Sequence, residues 1–304
     1  MARTIRSRIR EALPARAVPA ARRAYYEARS SIVLTENARR GLLRATASPN
    51  ARAILSQVSP RVSPNETMVE GGWRHYFAAG LDAIRCIDAV LEQQPIEPKR
   101  ILDLPSGWGR VLRHLTVRFP DAALVASDIV YDGPLFCAKR FGAEPMASSG
   151  DFASLALPGP FDLIWVGSLF SHLDIDHADS LLRLLTRTLN PNGVLITTTL
   201  GDSAVNRFEA EGPGDHHLPE EAAAAIADYR RDGMGFVEYS RFSWSLWPSS
   251  GESNALASSR YGVAFMSPDW MMAAGERAGL EPIYFRAQDW DEQQDVHGFR
   301  LRAR

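Results

Sequence analysis

One short stretch combines a carboxylate with two closely spaced glycines. The apolar run 101–104 has the composition of a buried strand and contains Asp103, and Pro105 then leads into Gly107 and Gly109. Glycine lets the backbone approach a ligand where a Cβ atom would collide. In open α/β sheets, ligands bind beyond the carboxyl ends of the strands. The pattern therefore predicts a ligand-binding turn directly after a buried strand.

A second carboxylate follows at a spacing that is informative. The next apolar run, 122–127, ends at Asp128, which lies 19 residues after Gly109. An acidic residue at the end of the second strand can accept hydrogen bonds from both hydroxyls of a ribose. The two motifs together predict a nucleoside-containing ligand at one edge of a sheet.

The elements around these motifs alternate between strand and helix patterns. Predicted strands lie at 101–104, 122–127, 143–147, 161–166, 193–199, 281–287 and 294–302, with helices at 75–93, 108–119, 132–141 and 177–189. This alternation predicts an α/β fold with a doubly wound, seven-stranded, mostly parallel sheet and a C-terminal antiparallel hairpin. Residues 1–65 are predicted to be a basic helical N-terminal extension of the main domain, 66–304. Residues 201–266 are predicted to be an insertion or lid after the fifth strand.

This order of motifs resembles that of the class I, Rossmann-like, S-adenosylmethionine-dependent methyltransferases. Asp103, Gly107 and Gly109 match the acid-x-Gly-x-Gly-x-Gly motif that holds the methionine end of the cofactor in that family, with Pro105 in place of the first glycine. Asp128 resembles the family's ribose-binding acid. The resemblance implies that the cofactor is S-adenosylmethionine.

Further parts of the cofactor site are implied by the same resemblance. Asp151 and Phe152 stand where the family often contacts adenine, although an Asp at this place is equally suited to cap a helix. Ser168 lies in the loop after the fourth strand. Tyr76 stands on a helix that often covers the cofactor in relatives, and its alternative is an ordinary core aromatic.

The candidate general bases are histidines. A base is useful for a hydroxyl acceptor, and it matters less for a carboxylate, thiolate or free amine acceptor. His172 follows the predicted fourth strand, near the expected position of the methyl group, and its alternative is a structural histidine. His216 and His217 lie beside Asp215 in the insertion. Their alternative roles are an exposed loop, a base or substrate contact, and part of a metal site. No third ligand stands at a suitable spacing, so no metal site is predicted.

The predicted function is transfer of a methyl group to a small-molecule or glycan acceptor, at oxygen. One alternative is a non-catalytic scaffold or regulator that binds the cofactor. A nicotinamide oxidoreductase is disfavoured, because Leu112 stands where the third glycine of G-x-G-x-x-G is needed. Five aromatic side chains could line the acceptor pocket or belong to the core: Trp244, Trp247, Tyr261, Phe265 and Trp270.

Charge is distributed unevenly along the chain. Residues 1–45 contain eleven arginines and three glutamates, whereas the whole chain has a net charge of -2. The acidic remainder disfavours a nucleic-acid partner. Residues 1–45 could contact a membrane surface or a protein, or form a solvated helix. No run of 18 apolar residues occurs, and Cys86 and Cys137 indicate reduced thiols, so a cytoplasmic location is predicted. No sequence feature predicts the oligomeric state.

Overall fold

A computed structural model describes residues 32–69, 72–212, 219–239 and 260–303. The chain divides after Ala78 into two compact units. The helices of the described residues are α1 (Ile32–Ala45), α2 (Pro49–Gln57), α3 (Gly72–Gln93), α4 (Leu112–Arg118), α5 (Asp132–Phe141), α6 (Ile175–Thr188), α7 (Asp202–Glu211), α8 (Pro219–Asp232) and α9 (Pro268–Arg277). None of these helices is long and apolar enough to cross a lipid bilayer.

The first unit contains a helical pair. Helix α2 begins after Ser48, whose hydroxyl accepts a hydrogen bond from the backbone N–H of Ala51, and Pro49 occupies the first turn. The buried guanidinium of Arg39 on α1 donates to the carbonyl of Leu55 on α2 and pairs with Glu36 at 2.8 Å. This polar link holds α1 against α2. The arginine-rich residues 1–31 lie outside the described part of the chain.

The second unit is built on a seven-stranded sheet. Its strands are β1 (Arg100–Asp103), β2 (Ala123–Asp128), β3 (Glu144–Ala147), β4 (Phe161–Val166), β5 (Leu189–Thr199), β8 (Leu280–Trp290) and β9 (Gln294–Leu301), in the spatial order β3-β2-β1-β4-β5-β9-β8. All pairs up to β5 are parallel, and β9 runs antiparallel to both β5 and β8. The predicted fold, with its C-terminal antiparallel hairpin, is confirmed.

The strand order creates a switch point at the centre of the sheet. The chain winds outward from β1 through β2 to β3, and then returns to place β4 on the other side of β1. Ligands of doubly wound sheets bind at the carboxyl ends of such strands. On one face, Leu102, Ile164 and Leu195 of the central strands pack with Leu181 and Leu185 of α6. This packing anchors the central strands against α6.

One predicted helix is shorter than expected. The sequence pattern predicts a helix over 108–119, whereas α4 begins only at Leu112. Residues before it form turns, and Gly109 has a φ of +79°, which a right-handed helix cannot contain. The prediction for the start of this helix was therefore wrong, because the glycine turn occupies four residues more than expected.

The insertion after β5 has its own secondary structure. It contains α7, α8 and a two-stranded antiparallel sheet of β6 (Met234–Glu238) and β7 (Gly262–Met266). Phe265, Tyr229 and Val205 pack in a separate small core. The backbone N–H of Met266 donates to the carbonyl of Leu200, which joins the insertion to the end of β5.

Candidate functional site

Asp103 is the buried carboxylate at the end of β1. Its side chain is 1% exposed, and its Oδ2 atom has no hydrogen-bond partner among the described residues. Burial raises the pKa of this carboxyl well above its usual value; the charge of Asp128 adds to the increase, while Arg110 and the backbone N–H of Leu112 oppose it. An incompletely satisfied buried carboxyl is suited to a cationic ligand group, which favours its ionised form.

The two glycines of the turn have different roles. Gly107 has a φ of +49°, and a Cβ atom at this position would meet no protein atom within 4 Å. A Cβ atom on Gly109 would lie 2.7 Å from the ring of Phe141 and 3.1 Å from the Sγ atom of Cys137. Gly107 therefore borders open space that a ligand can fill, whereas Gly109 allows α5 to pack closely.

Asp128 organises the same turn. Its Oδ2 atom accepts a hydrogen bond from the backbone N–H of Gly107 at 2.8 Å, and its Oδ1 atom accepts one from Val130 at 2.9 Å. A carboxylate offers about four lone-pair positions and can accept several hydrogen bonds at once. Asp128 can both hold the glycine turn and accept from a ribose.

Buried hydroxyls flank the turn. The backbone N–H of Ser106 donates to the carbonyl of Ser127 at 2.9 Å, which ties the turn to the end of β2. The hydroxyl oxygens of both serines are buried and lack a hydrogen-bond partner among the described residues. Together with the Oδ2 atom of Asp103 and the open space at Gly107, they fit a polar, cationic ligand that supplies the missing partners.

Ser168 lies just beyond the end of β4 and has a φ of +58°. Its backbone N–H donates to the Oγ1 atom of Thr198 on β5 at 2.8 Å. Its hydroxyl oxygen accepts a hydrogen bond from the side-chain amide of Gln294 on β9 at 2.9 Å. The predicted cofactor contact is thus held by side chains from two other strands.

The structure places Asp151 and Phe152 in different environments. Asp151 is exposed, and its carboxylate accepts from the backbone N–H groups of Ala153 and Ser154 and from the hydroxyl of Ser154. The bond from that hydroxyl is the main cause of its lowered pKa. Phe152 is 4% exposed and belongs to the main core. A contact of either residue with adenine stays a prediction.

Tyr76 and Pro105 are the remaining predicted cofactor residues. Tyr76 is fully buried in the first unit, where its hydroxyl donates to Glu66 at 2.9 Å and its ring packs edge-on against Trp73 and Phe77. Pro105 lies partly buried in the turn between β1 and Gly107. Their roles in cofactor binding stay predictions.

The side chain of His172 contacts residues of the insertion. Its Nδ1 atom lies 2.7 Å from the carbonyl oxygen of Gly262, and its ring stacks on Tyr261 at a centroid distance of 4.7 Å. The ring of Tyr239 lies 6.0 Å away. Burial lowers the pKa of His172, and the bond to Gly262 opposes that shift. The histidine after β4 thus faces two tyrosines from the insertion.

Sequence reasoning missed several partners of these residues. Tyr239, Thr198 and Gln294 carry no local motif, and only the fold brings them to the ends of β4 and β5. Among the five predicted aromatic residues, Phe265 belongs to the small core of the insertion and Tyr261 reaches His172.

Some residues of the sequence analysis lie outside the described part of the chain: Asp215, His216, His217, Trp244 and Trp247. Within the described ranges, no group of three or more His, Cys, Asp or Glu side chains is arranged to hold a metal ion.

A family comparison covers the part of the chain that carries these motifs. Residues 101–193 match the family model described as a methyltransferase domain. The match begins at β1 and includes the glycine turn, Asp128 and the loop with His172. This match supports the assignment of the chain to the class I S-adenosylmethionine-dependent methyltransferases. The cofactor of the chain is S-adenosylmethionine, which decides against a nicotinamide oxidoreductase.

Individual relatives of this methyltransferase agree with that assignment. It is 29% identical over 199 residues to a trans-aconitate 2-methyltransferase of Methylobacterium nodulans, an alignment that covers 63% of this chain and 73% of the relative. It is 30% identical over 154 residues to a malonyl-[acyl-carrier protein] O-methyltransferase of Dechloromonas aromatica, covering 50% of this chain and 52% of the relative.

An S-adenosylmethionine-dependent methyltransferase from Clostridium acetobutylicum is 14% identical to the chain, with a TM-score of 0.47. That comparison covers 75% of this methyltransferase and 92% of the other protein.

Proposed function

We propose that this methyltransferase transfers the methyl group of S-adenosylmethionine to an oxygen atom of a small-molecule or glycan acceptor, with His172 as the general base. The observation that carries the proposal is the hydrogen bond between the Nδ1 atom of His172 and the carbonyl of Gly262. A carbonyl oxygen can only accept, so Nδ1 must carry the proton. The Nε2 atom of a neutral His172 is then the basic atom.

The protonation state of His172 suits this role. Burial lowers the pKa of the imidazole, so the side chain is neutral at neutral pH. A neutral imidazole with one fixed nitrogen can remove a proton from a hydroxyl as the oxygen attacks. The stacked ring of Tyr261 restricts rotation of the imidazole and keeps Nε2 in one direction.

The two tyrosines make the surroundings polar without making them charged. Burial raises the pKa of Tyr239 to about 12 and raises that of Tyr261 well above its usual value. Both hydroxyls therefore stay protonated at neutral pH. Asp128 contributes to the raised pKa of Tyr261, which puts this tyrosine within electrostatic range of the predicted ribose-binding acid. The proposed acceptor position lies between His172 and the cofactor site.

The chain contributes mainly binding and orientation to the reaction. When bound, the cofactor supplies a methyl group on a cationic sulfur, which needs little chemical activation. Asp103 would bind the cationic methionine end, and Asp128 would hold the ribose. His172 would remove the hydroxyl proton at its Nε2 atom. Holding the two reactants in line accounts for up to about 7–11 kcal/mol of barrier reduction in well-oriented reactions.

The relatives support oxygen as the acceptor atom. The name of the Dechloromonas aromatica relative states that it is an O-methyltransferase that acts on malonyl-[acyl-carrier protein]. The first relative is named for trans-aconitate. Hydroxyl acceptors are favoured for this chain because a base such as His172 is useful for a hydroxyl and dispensable for a carboxylate.

The test combines acceptor screening with product chemistry. Protein is incubated with methyl-labelled S-adenosylmethionine and panels of hydroxylated sugars, phenols and carboxylic acids. Alkali releases label from a methyl ester and leaves a methyl ether intact. We expect an alkali-stable product whose formation is strongly slowed in His172→Gln, while affinity for S-adenosylhomocysteine is kept.

The matched control is His177→Gln, which changes the partly exposed histidine at the start of α6. It should leave turnover unchanged. Full activity of His172→Gln on a hydroxyl acceptor would show that His172 is structural. Release of the label by alkali would show a carboxylate acceptor, for which a base is dispensable, and would contradict the proposed role of His172.

A further inference from the structure

Ser168 adopts a backbone conformation that its side chain disfavours. A φ of +58° is uncommon outside glycine, and such residues persist only where surrounding contacts enforce them. Strained residues of this kind cluster at functional sites. Ser168 directly follows the end of the central strand β4, and it is partly exposed there. The Ser168 hydroxyl is therefore a candidate functional group.

Three hydrogen bonds form a closed ring that includes Ser168. Its backbone N–H donates to the Oγ1 atom of Thr198 at 2.8 Å. The Thr198 hydroxyl donates to the Oε1 atom of Gln294 at 2.6 Å, and the Nε2 atom of Gln294 donates to the Ser168 hydroxyl oxygen at 2.9 Å. Thr198 is fully buried and Gln294 is 9% exposed. The ring is shielded from solvent on the side of β5 and β9.

The ring sets the direction of each proton. Oγ1 of Thr198 already accepts from the backbone of Ser168, and the Thr198 hydroxyl proton finds its acceptor in Oε1 of Gln294. The opposite amide orientation would leave that buried proton without an acceptor, at a cost typical of unsatisfied buried groups. The amide nitrogen must therefore face Ser168, whose oxygen becomes an acceptor.

The Ser168 proton is consequently directed away from Gln294. The Oγ atom of Ser171 lies 3.3 Å from the Ser168 hydroxyl oxygen and could accept this proton. That distance is long for an O–H···O bond, for which about 2.7–2.8 Å is usual. The hydroxyl of Ser171 itself donates to the carbonyl of Ser168 at 3.0 Å. The Ser168 proton is thus weakly held within the protein and can be donated to a ligand.

The sheet order indicates which part of the cofactor is nearby. Asp128 ends β2, the glycine turn follows β1, and Ser168 follows β4, and these three strands are neighbours in that order. A cofactor whose ribose is held by Asp128 and whose methionine end lies over the turn extends toward β4. The methionine carboxylate is the anionic acceptor of that end.

We propose that Gln294 is a positioning residue that, together with Thr198, sets the Ser168 hydroxyl to donate a hydrogen bond to the carboxylate of the bound cofactor. This inference rests on the cofactor assignment and is independent of the acceptor and of His172. It assigns a role in ligand binding to the last strand of the sheet, which no cofactor motif of the sequence includes.

The test is calorimetric titration with two probes. S-adenosylhomocysteine carries the amino-acid end, and 5′-methylthioadenosine lacks it. Gln294→Glu nearly preserves the side-chain shape, but a carboxylate accepts from both Thr198 and Ser168 and turns the Ser168 proton inward. We expect this variant and Ser168→Ala each to weaken S-adenosylhomocysteine binding about tenfold, the effect of one charge-assisted hydrogen bond. Binding of 5′-methylthioadenosine should be unchanged.

Two further variants separate positioning from simple structural damage. Combining Ser168→Ala with Gln294→Glu should weaken binding no more than Ser168→Ala alone, because both remove the same donor. Gln293→Glu is the matched control, since the side chain of this neighbouring glutamine accepts a long, 3.4 Å hydrogen bond from the exposed Arg207. If the buried charge prevents Gln294→Glu from folding, Thr198→Val removes the same orienting bond without adding a charge.

Unchanged S-adenosylhomocysteine affinity in both Ser168→Ala and the folded ring variant would overturn the proposal. Equal weakening of both probes would also overturn it, because it would show a distorted site and not a lost carboxylate contact. A failure of the proposed acceptor chemistry would appear only in turnover assays and leave these affinities untouched.

Discussion

The carboxylate of Asp128 accepts a hydrogen bond from the backbone N–H of Gly107, with 2.8 Å between the Oδ2 and nitrogen atoms. Asp128 is the last residue of β2, and Gly107 follows the neighbouring strand β1. The two residues belong to separate sequence motifs. One carboxylate therefore links the proposed ribose-binding position to the turn over which the methionine end is expected to lie. A substitution of Asp128 should therefore affect the glycine turn as well as the proposed ribose contact.

Replacing Asp128 by Asn should weaken binding of S-adenosylmethionine strongly. An amide has a single oxygen acceptor, so the variant loses one of the two backbone bonds as well as the negative charge. Charge-assisted hydrogen bonds contribute about 1.5–3 kcal/mol each, so we expect Kd to rise by about 10-fold to 100-fold. Calorimetric titration measures this, with the exposed Asp121→Asn as control. Wild-type affinity in Asp128→Asn would contradict the ribose assignment.

The two glycines of the turn should respond differently to alanine. In Gly107→Ala the new Cβ meets no protein atom, so only the positive φ should destabilise the fold, by about 1–2 kcal/mol. In Gly109→Ala the Cβ also collides with Phe141, which adds the cost of overpacking, about 1–3 kcal/mol. Urea unfolding without cofactor should therefore show the larger loss in Gly109→Ala.

Cofactor titration completes that comparison. Gly107→Ala should stay folded and yet lose cofactor binding, because its Cβ occupies the space that we assign to the ligand. A folded Gly107→Ala variant with wild-type affinity would mean that the cofactor does not approach this residue.

Binding of S-adenosylmethionine should strengthen as pH rises through the pKa of Asp103. Burial raises that pKa above the usual carboxyl range in the protein without cofactor. A fraction of the molecules therefore carries a protonated Asp103 at pH values where an ordinary aspartate is ionised. A cationic ligand favours the ionised form, and binding then releases a proton. Titrations in buffers of different ionisation enthalpy measure this release. Asp103→Asn should bind weakly and without proton release; an equal release in that variant would assign the proton to another group.

Turnover should decrease as pH falls through the lowered pKa of His172. The base must be neutral, and burial depresses its pKa, so activity should persist to a lower pH than an ordinary histidine would allow. The measurement is kcat as a function of pH with a hydroxyl acceptor. The acidic decrease should disappear from the residual activity of His172→Gln. If the decrease stays at the same pH in that variant, another group is responsible for it.

The free energy of unfolding should decrease under mildly acidic conditions because of His297. This buried histidine lies 2.9 Å from the hydroxyl of Thr199, and burial lowers its pKa to about 3. Below the usual histidine pKa of about 6.5, the unfolded chain binds a proton that the folded chain excludes, so stability decreases as pH falls until about pH 3.

At about pH 5 this difference corresponds to roughly 2 kcal/mol. Urea unfolding at about pH 7 and pH 5 should show that His297→Gln reduces the pH-dependent loss, whereas His177→Gln does not. An identical loss in wild type and His297→Gln would contradict the assignment.

Local patterns predicted the elements best where short-range physics is sufficient. Helix α5 begins and ends at the predicted residues 132 and 141, with Gly142 in a left-handed conformation at its end. Ser267, which directly precedes Pro268, caps α9 by accepting from the backbone N–H of Trp270. Such start and stop signals act within one turn of helix. The predicted start of α4 was wrong because contacts to β2 stabilise the preceding turn, and no local sequence pattern contains these contacts.

The amino-acid sequence by itself determined the order of strands and helices, the acid and glycine motifs, and hence the family and cofactor. These features depend on apolar periodicity and on residue types at fixed short spacings. Only the tertiary structure decided which atoms the functional groups meet: His172 reaches a carbonyl 90 residues away, and Ser168 reaches a glutamine 126 residues away. Such contacts result from the pairing of distant strands and the docking of the insertion, and they set the proton positions on which the chemistry depends.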